Sequence, residues 1–286
     1  MFNNSMKLNN GVMIPQLALG TWLIDDDKVT DAVKSALQMG YRHIDTAQAY
    51  GNERGVGEGV RQSGIPRDEI FITSKVAAEH KSYESAVKSI DDTLALMKMD
   101  YLDMMIIHSP QPWKEVNQSE NRYKKENQEV WRALEDALEA GKLRTIGVSN
   151  FLEDVQNILK TARIKPQVNQ ILAHISNTPL DLIQYCQNEG IAVEAYSPVA
   201  HGEALKNPKI VAMAKKYGVS VAQLCIRYCI QLDMIVLPKT ANPDHMRENA
   251  DLDFEISQED MKELLAIDKI QDYGEASFFP VYGGKL

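Results

Sequence analysis

Four residues carry side chains able to move a proton at a shared point: Asp45, Tyr50, Lys75 and His108. Asp45 and Tyr50 belong to one string, Gly40-Tyr-Arg-His-Ile-Asp-Thr-Ala-Gln-Ala-Tyr-Gly-Asn-Glu-Arg-Gly-Val-Gly57. It opens at a helix-stop glycine, crosses a strand-like run from Tyr41 to Ile44 and breaks at Asp45-Thr46-Ala47. Tyr50 then stands just before Asn52-Glu53, where another helix begins. Lys75 closes the run Phe71-Ile-Thr-Ser-Lys75, and His108 closes Met104-Met-Ile-Ile-His108. A phenol, with a pKa of ~10, is a poor acid near neutrality. A neighbouring ammonium favours the phenolate and lowers that value. Asp45 would hold Lys75 in place, and a neutral His108 would donate a hydrogen bond to a carbonyl oxygen. Such a set protonates an alkoxide as it forms, so it needs a hydride source. Each residue also has a plain structural role: a helix-capping acid, a packed ring, a solvated lysine, a hydrogen-bonded imidazole. Four of them at the ends of three successive strands favour the chemistry.

The elements that must position these groups alternate along the chain. Strand-like runs lie near 17–20, 41–45, 70–75, 103–108, 145–149, 167–171, 191–196 and 234–238. Helical patterns lie near 27–39, 53–63, 82–98, 126–140, 153–161, 179–188 and 207–232, the last broken near Gly218, with more helix at 243–250 and 257–267. Short apolar strands separated by amphipathic helices predict a parallel sheet. Eight strands close a barrel, with the active face at the strands' C-terminal ends. An open doubly wound sheet is the alternative. Asn10-Gly11, between two short runs, predicts an N-terminal β-hairpin over 6–16. Residues 109–125 form a long polar connection, and residues 268–286 a tail without helical period that carries Phe278, Phe279 and Tyr282. Three aromatic residues within five positions imply that the tail covers something. No linker divides the chain, so 1–286 reads as a single α/β domain.

Composition narrows the partners. The chain has 286 residues, 44% hydrophobic and 25% charged, with a net charge of −9 and a pI near 5.2. An acidic surface argues against nucleic acid and anionic membranes. Met1 to Asn10 is polar, and no apolar run approaches the ~18 residues of a membrane span. Cys186, Cys225 and Cys229 are too few and too scattered for a disulfide framework, which fits a reducing, cytoplasmic setting. The six histidines show no metal-ligand spacing, so no metal is expected.

Along nearly its whole length the chain resembles the aldo-keto reductases, and within them a bacterial and yeast group described as diketogulonate- or morphine-dehydrogenase-like reductases. The resemblance implies a (β/α)8 TIM barrel whose N-terminal hairpin closes the bottom and whose C-terminal tail lies over the active face. It implies that Asp45, Tyr50, Lys75 and His108 form the catalytic tetrad of an NAD(P)H-dependent carbonyl reductase, with Tyr50 as general acid. Gly20-Thr21-Trp22 resembles the segment bordering nicotinamide, and the resemblance implies that Asp45 also borders the cofactor. Ser149, Asn150 and Gln170 resemble the carboxamide-binding groups, with donors and acceptors to match. Tyr196-Ser197-Pro198-Val199 resembles the segment whose Tyr stacks on nicotinamide and whose loop crosses the pyrophosphate. Leu237, Pro238, Lys239, Thr240, Ala241 and Asn242, then Glu248 and Asn249, resemble the adenosine-phosphate site. His245 stands where NADPH-preferring members commonly have Arg. A histidine there stacks and donates but lacks the permanent charge and planar fork of arginine. The implied cofactor is therefore NADPH, with NADH usable. Trp22, Tyr50, His108, Trp113, Phe278 and Phe279 are the expected substrate contacts. Ser109 follows His108 where some relatives have Trp, which alters the substrate wall. A small carbonyl compound is the expected partner and a monomer the family default.

Other readings fit less well. A short-chain dehydrogenase needs Tyr-x-x-x-Lys, and none of the eleven tyrosines has Lys four residues later. Gly55-Val-Gly57-Glu-Gly59 resembles a dinucleotide fingerprint, but its third Gly comes one position early and no strand leads directly into it. A cofactor-sensing regulatory or binding subunit on the same fold, with little turnover, stays open as the alternative.

Overall fold

The structure is a computed structural model describing Phe2 and residues 4–286; Met1 and Asn3 lie outside the described residues. The chain opens with a hairpin, β1 (Ser5–Lys7) and β2 (Met13–Pro15), paired antiparallel with Met6 opposite Ile14. A repeating strand-helix order follows: β3 (Leu19–Gly20), α1 (Asp26–Met39), β4 (His43–Asp45), α2 (Glu53–Ser63), β5 (Phe71–Val76), α3 (Tyr83–Met97), β6 (Leu102–Ile107), α4 (Lys124–Glu139), β7 (Leu143–Ser149) and α5 (Asp154–Leu159). It continues through β8 (Val168–Leu172), α6 (Leu180–Asn188), β9 (Ala192–Tyr196), α7 (Pro208–Tyr217), α8 (Val221–Gln231), β10 (Met234–Leu237), α9 (Pro243–Ala250) and α10 (Gln258–Leu265).

Strands β3 to β10 form one eight-stranded parallel sheet in sequence order. Parallel bridges Leu17–Val236 and Gly20–Lys239 join its first and last strands, so the sheet closes into a (β/α)8 barrel rather than staying open. The first strand is shorter than expected because residues 17 and 18 are engaged by β10 instead of β4.

The helices start and stop where local chemistry provides for their unpaired backbone groups. Ser82 and Ser220 form capping boxes with Ser85 and Gln223, and Asn207 and Asn242 cap helices that begin with Pro. Gly40 ends α1 at φ 123°, a conformation that favours glycine. The glycines of α2 serve packing rather than phosphate binding. A Cβ on Gly55 would lie 2.3 Å from the Asp26 carbonyl of α1, and one on Gly57 2.4 Å from the Met97 carbonyl of α3. Glycine there lets α2 approach both neighbours, which gives the failed fingerprint its physical reason.

The hairpin plugs the N-terminal end of the barrel. Leu8 and Ile14 join Ala18, Phe71, Met104, Ile106, Val168 and Ile235 in one buried apolar cluster. Asn9 Nδ2 donates to the carbonyls of Pro166 and Gly190, and Asn10 Nδ2 to that of Arg144, tying the hairpin to the starts of β8, β9 and β7. A second, larger core lies between strands and helices. With the bottom plugged, the open face is the C-terminal one, where the candidate residues stand. The tail is not featureless: it makes 3-10 turns at Gly274–Phe278 and Pro280–Tyr282. Among the described residues no helix is long and apolar enough to cross a membrane.

Candidate active site

Asp45 ends β4, Lys75 lies near the end of β5, and His108 follows β6 directly. Tyr50 closes a short 3-10 turn, Gln48–Tyr50, that brings the phenol back over the strand ends. Lys75 Nζ, fully buried, donates to Asp45 Oδ1 at 2.6 Å, to the Thr46 carbonyl at 2.8 Å and to Tyr50 Oη at 3.2 Å. The ammonium also lies 4.8 Å from the Tyr50 ring centroid. The rings of Tyr50 and His108 meet edge to face at 5.6 Å. Thus four groups separated by up to 63 positions in the chain share one floor, above which opens a cavity of about 480 Å³.

The charges follow from burial and neighbours. Burial works against the charge on Lys75, but Asp45 and then Tyr50 outweigh it and hold the ammonium above its ordinary range. Tyr50 departs from the expectation that its lysine neighbour would lower its pKa. Burial raises it, and the lowering by Lys75 does not overcome that effect, with Asp45 adding to the rise. The phenol therefore rests protonated, as a proton donor must. His108 is held well below the usual imidazole range, by burial first and by the Lys75 charge second. It is neutral, and its Nδ1 has no hydrogen-bond partner among the described residues.

The cavity is lined by Thr21 and Trp22 after β3, by Ser149 at the end of β7 and Asn150 after it, and by Gln170 of β8. Tyr196 at the end of β9 and Ser197, Pro198 and Val199 after it also line the cavity, as do Leu237 at the end of β10 and Lys239 beyond it. Gln170 Nε2 donates to Asp45 Oδ2 at 2.9 Å. Asn150 is engaged differently from a free carboxamide partner. Its Oδ1 accepts from Tyr196 Oη at 2.7 Å, and its Nδ2 donates to the His108 carbonyl and to Ser149 Oγ. It ties the Tyr196 ring to the backbone at His108. Pro238, Thr240, Ala241, Asn242, His245, Glu248 and Asn249 lie outside the cavity lining, along the path from β10 into α9. Asn242 caps that helix and His245 is exposed on it.

The aromatic wall is built from separate parts of the chain. Trp113 meets His108 edge to face at 5.0 Å and Phe279 at 5.0 Å, and Phe279 lies 5.5 Å from Trp22. Phe278, expected on this wall, points outward instead and is 60% exposed. One 3-10 turn ends at Phe278 and the next follows Phe279, so the adjacent rings diverge at 80°. The inward aromatic partner of Phe279 is Tyr282, which stacks against Trp22 at 6.3 Å. Tyr282 Oη also lies 2.9 Å from Ser197 Oγ and 2.6 Å from His201 Nε2. The tail is thereby latched to the segment after β9, where Ser197, Ala200 and His201 all have φ between 50° and 53°. Such left-handed backbone at non-glycine residues persists where surrounding structure enforces it, often at binding sites.

Three groups in or beneath the cavity were not singled out from the sequence: His201, Glu194 and His43. His201 had no strand-end signal to mark it. Glu194 and His43 lie one inward layer below the floor, and period-two alternation from Tyr196 and Asp45 points to both.

Residues 16–269 match the family model described as the aldo/keto reductase family. The glyoxal reductase of Bacillus subtilis (strain 168) is 40% identical over 274 residues, covering 95% of each chain. The 9,11-endoperoxide prostaglandin H2 reductase of Trypanosoma cruzi (strain CL Brener) is 37% identical over 285 residues, covering 97% of this chain and 96% of that protein. Among solved structures, an aldo/keto reductase from Brucella melitensis matches with a TM-score of 0.85 at 38% identity, covering 93% of this chain and 99% of the other. The Bombyx mori aldo-keto reductase solved in complex with NADP matches with a TM-score of 0.85 at 32% identity, covering 98% of each. A family model spanning most of the chain, full-length relatives and a shared barrel agree: the chain belongs to the aldo/keto reductase family.

Proposed function

We propose that the protein is an NADPH-preferring carbonyl reductase that converts aldehydes and activated ketones to alcohols, with Tyr50 as general acid. The observation that carries this reading is the Lys75 ammonium bonded at once to Asp45 and to Tyr50 Oη on the floor of an aromatic-walled cavity. The name of the Bacillus subtilis relative, a glyoxal reductase, supports a small reactive carbonyl as substrate. The NADP complex of the Bombyx mori enzyme supports the cofactor.

The residues present fit that cofactor. Ser149 Oγ and Gln170 offer polar atoms for a carboxamide, and Tyr196 a ring for the nicotinamide face. The segment from Ser197 to Val199 borders the cavity where a pyrophosphate would cross, and Lys239 is an exposed cation at its rim. Thr240 to Asn249 continue outward as the adenosine-phosphate side. NADPH, when bound, supplies the hydride. The chain's own residues manage the proton. Tyr50 gives its phenolic proton to the carbonyl oxygen as negative charge develops there, and Lys75 stabilises the phenolate left behind. Asp45 keeps Lys75 oriented, and neutral His108 orients the carbonyl oxygen. Trp22, Trp113 and Phe279 hold the apolar part of the substrate and exclude water.

The test is to mix the protein with NADPH and a reactive aldehyde and follow nicotinamide absorbance. No turnover, with cofactor still bound, would replace this reading with that of a cofactor-binding subunit. Two smaller outcomes bear on specificity. Deleting Ser277–Leu286 removes Phe279 and Tyr282, so KM should rise by about tenfold for bulky aromatic aldehydes, the scale of one lost apolar contact in a pocket. Equal changes for bulky and small aldehydes would show that the tail does not form the wall. His245→Arg should tighten NADPH by about tenfold through a permanent charge and a planar fork, and leave NADH nearly unchanged. A cofactor ratio indifferent to this substitution would show that position 245 does not read the phosphate.

A further inference from the structure

Below the cavity floor the barrel interior holds a polar layer that the proton scheme does not use. Glu194, on β9, is fully buried. In register it lies beside Gln170 of β8 on one side and Ile235 of β10 on the other. Gln170 Nε2 donates to Glu194 Oε2 at 2.8 Å and to Asp45 Oδ2 at 2.9 Å. Both amide hydrogens are thereby engaged inside the barrel, which leaves the Gln170 carbonyl as the end offered to the cavity. Glu194 Oε1 has no hydrogen-bond partner among the described residues and faces His43 Nε2 across 3.9 Å. His43 is itself engaged by Thr73 Oγ1 at 3.0 Å and by the Pro15 carbonyl at 3.3 Å. The ionisable groups facing Glu194 are therefore Asp45 and His43 from β4 and Lys75 from β5; β8 contributes an amide and β10 an apolar side chain.

Two carboxyl groups bridged by one amide nitrogen repel each other if both ionise. Asp45 has the Lys75 ammonium at 2.6 Å, and Glu194 has no such partner. Burial first, and the Asp45 charge second, push Glu194 up to about 8. His43 supplies no compensating charge, because burial foremost pushes it down to about 3.

We propose that Glu194 is a positioning residue of the catalytic cluster: as a neutral carboxyl it holds Gln170 against Asp45, and its ionisation weakens proton donation by Tyr50. The role rests on the carbonyl-reductase reading above. An ionised Glu194 adds a second negative charge beside Asp45 and opposes the field of Lys75 at the phenol. The phenol then holds its proton more tightly and yields it less readily to the carbonyl oxygen.

The experiment compares wild type, Glu194→Gln and Glu194→Leu. It measures kcat/KM for a simple aldehyde from pH 6 to 10, the Kd of NADPH at pH 7, and Tm from pH 5 to 8. Gln keeps an acceptor for Gln170 and cannot ionise; Leu removes both properties. The ratio of kcat/KM for Glu194→Gln over wild type should rise about tenfold between pH 7 and pH 9, as for one group titrating between them. Glu194→Leu should weaken NADPH binding about tenfold by freeing the Gln170 amide, the scale of one buried hydrogen bond. Glu194→Gln should recover most of that loss. A buried acid with a raised folded pKa contributes stability that is full below its unfolded value and is lost as pH rises through the folded one. The Tm advantage of Glu194→Gln over wild type should therefore widen from pH 5 to pH 8. Parallel pH–rate profiles, or a Tm difference that does not change with pH, overturn this role alone. Absence of turnover by the wild type at every pH overturns the carbonyl-reductase reading and this role with it. If the Leu variant does not fold, the profiles of wild type and Glu194→Gln decide.

Discussion

Replacing Tyr50 by phenylalanine should lower kcat for aldehyde reduction by at least ~10²-fold, the lower end of what a positioned general acid contributes. That factor corresponds to roughly 2.7 kcal/mol of transition-state stabilisation. The substitution keeps the ring, its edge-to-face meeting with His108 and its place near the Lys75 ammonium, and removes only Oη. The fold should be unaffected, because Lys75 retains Asp45 Oδ1 and the Thr46 carbonyl as acceptors. NADPH binding should persist, since no cofactor-facing group changes. The loss should therefore fall on kcat rather than on the Kd of the cofactor, as for an interaction made in the transition state. Pre-steady-state turnover and fluorescence titration with NADPH separate the two. A Phe variant within a few-fold of wild-type kcat would remove Tyr50 from the role of acid.

The part of this site legible in the sequence is the part set by local pattern. Lys75 was expected at the end of a strand over 70–75, and β5 runs from Phe71 to Val76. Short apolar runs between helices with strong caps and stops leave little freedom in where a strand ends. Pairings across the barrel were not legible, because nothing local links Gln170 to Asp45, 125 positions away. The split between Phe278 and Phe279 was invisible for another reason: adjacent residues in a tail without periodicity have no rule for which one points inward. The direction of the Tyr50 shift depended on a competition between burial and Lys75. The sequence names both partners in that competition but not the depth at which the phenol sits.

Lys75→Met should abolish most turnover and also destabilise the fold, and a second substitution should separate the two effects. The ammonium is fully buried, with three acceptors around it. Methionine fills a similar volume but leaves Asp45 without its counter-charge. Removing one member of a buried ion pair costs roughly 3–5 kcal/mol, because the other charge stays buried and unpaired. A clear fall in Tm is the expected result. In the double variant Lys75→Met, Asp45→Asn the carboxylate is gone, and the Asn amide can still accept from Gln170, so most of that Tm loss should be recovered. Activity should not follow. Without the ammonium nothing stabilises the phenolate that forms on Tyr50, and kcat/KM should stay at least ~10²-fold below wild type in both variants. Recovery of Tm together with activity would mean that Lys75 serves only to neutralise Asp45. Recovery of neither would mean that the cost of the single variant lies in packing around the Met side chain. Recovery of Tm alone assigns the ion pair to stability and the bond from Nζ to Oη, at 3.2 Å, to catalysis.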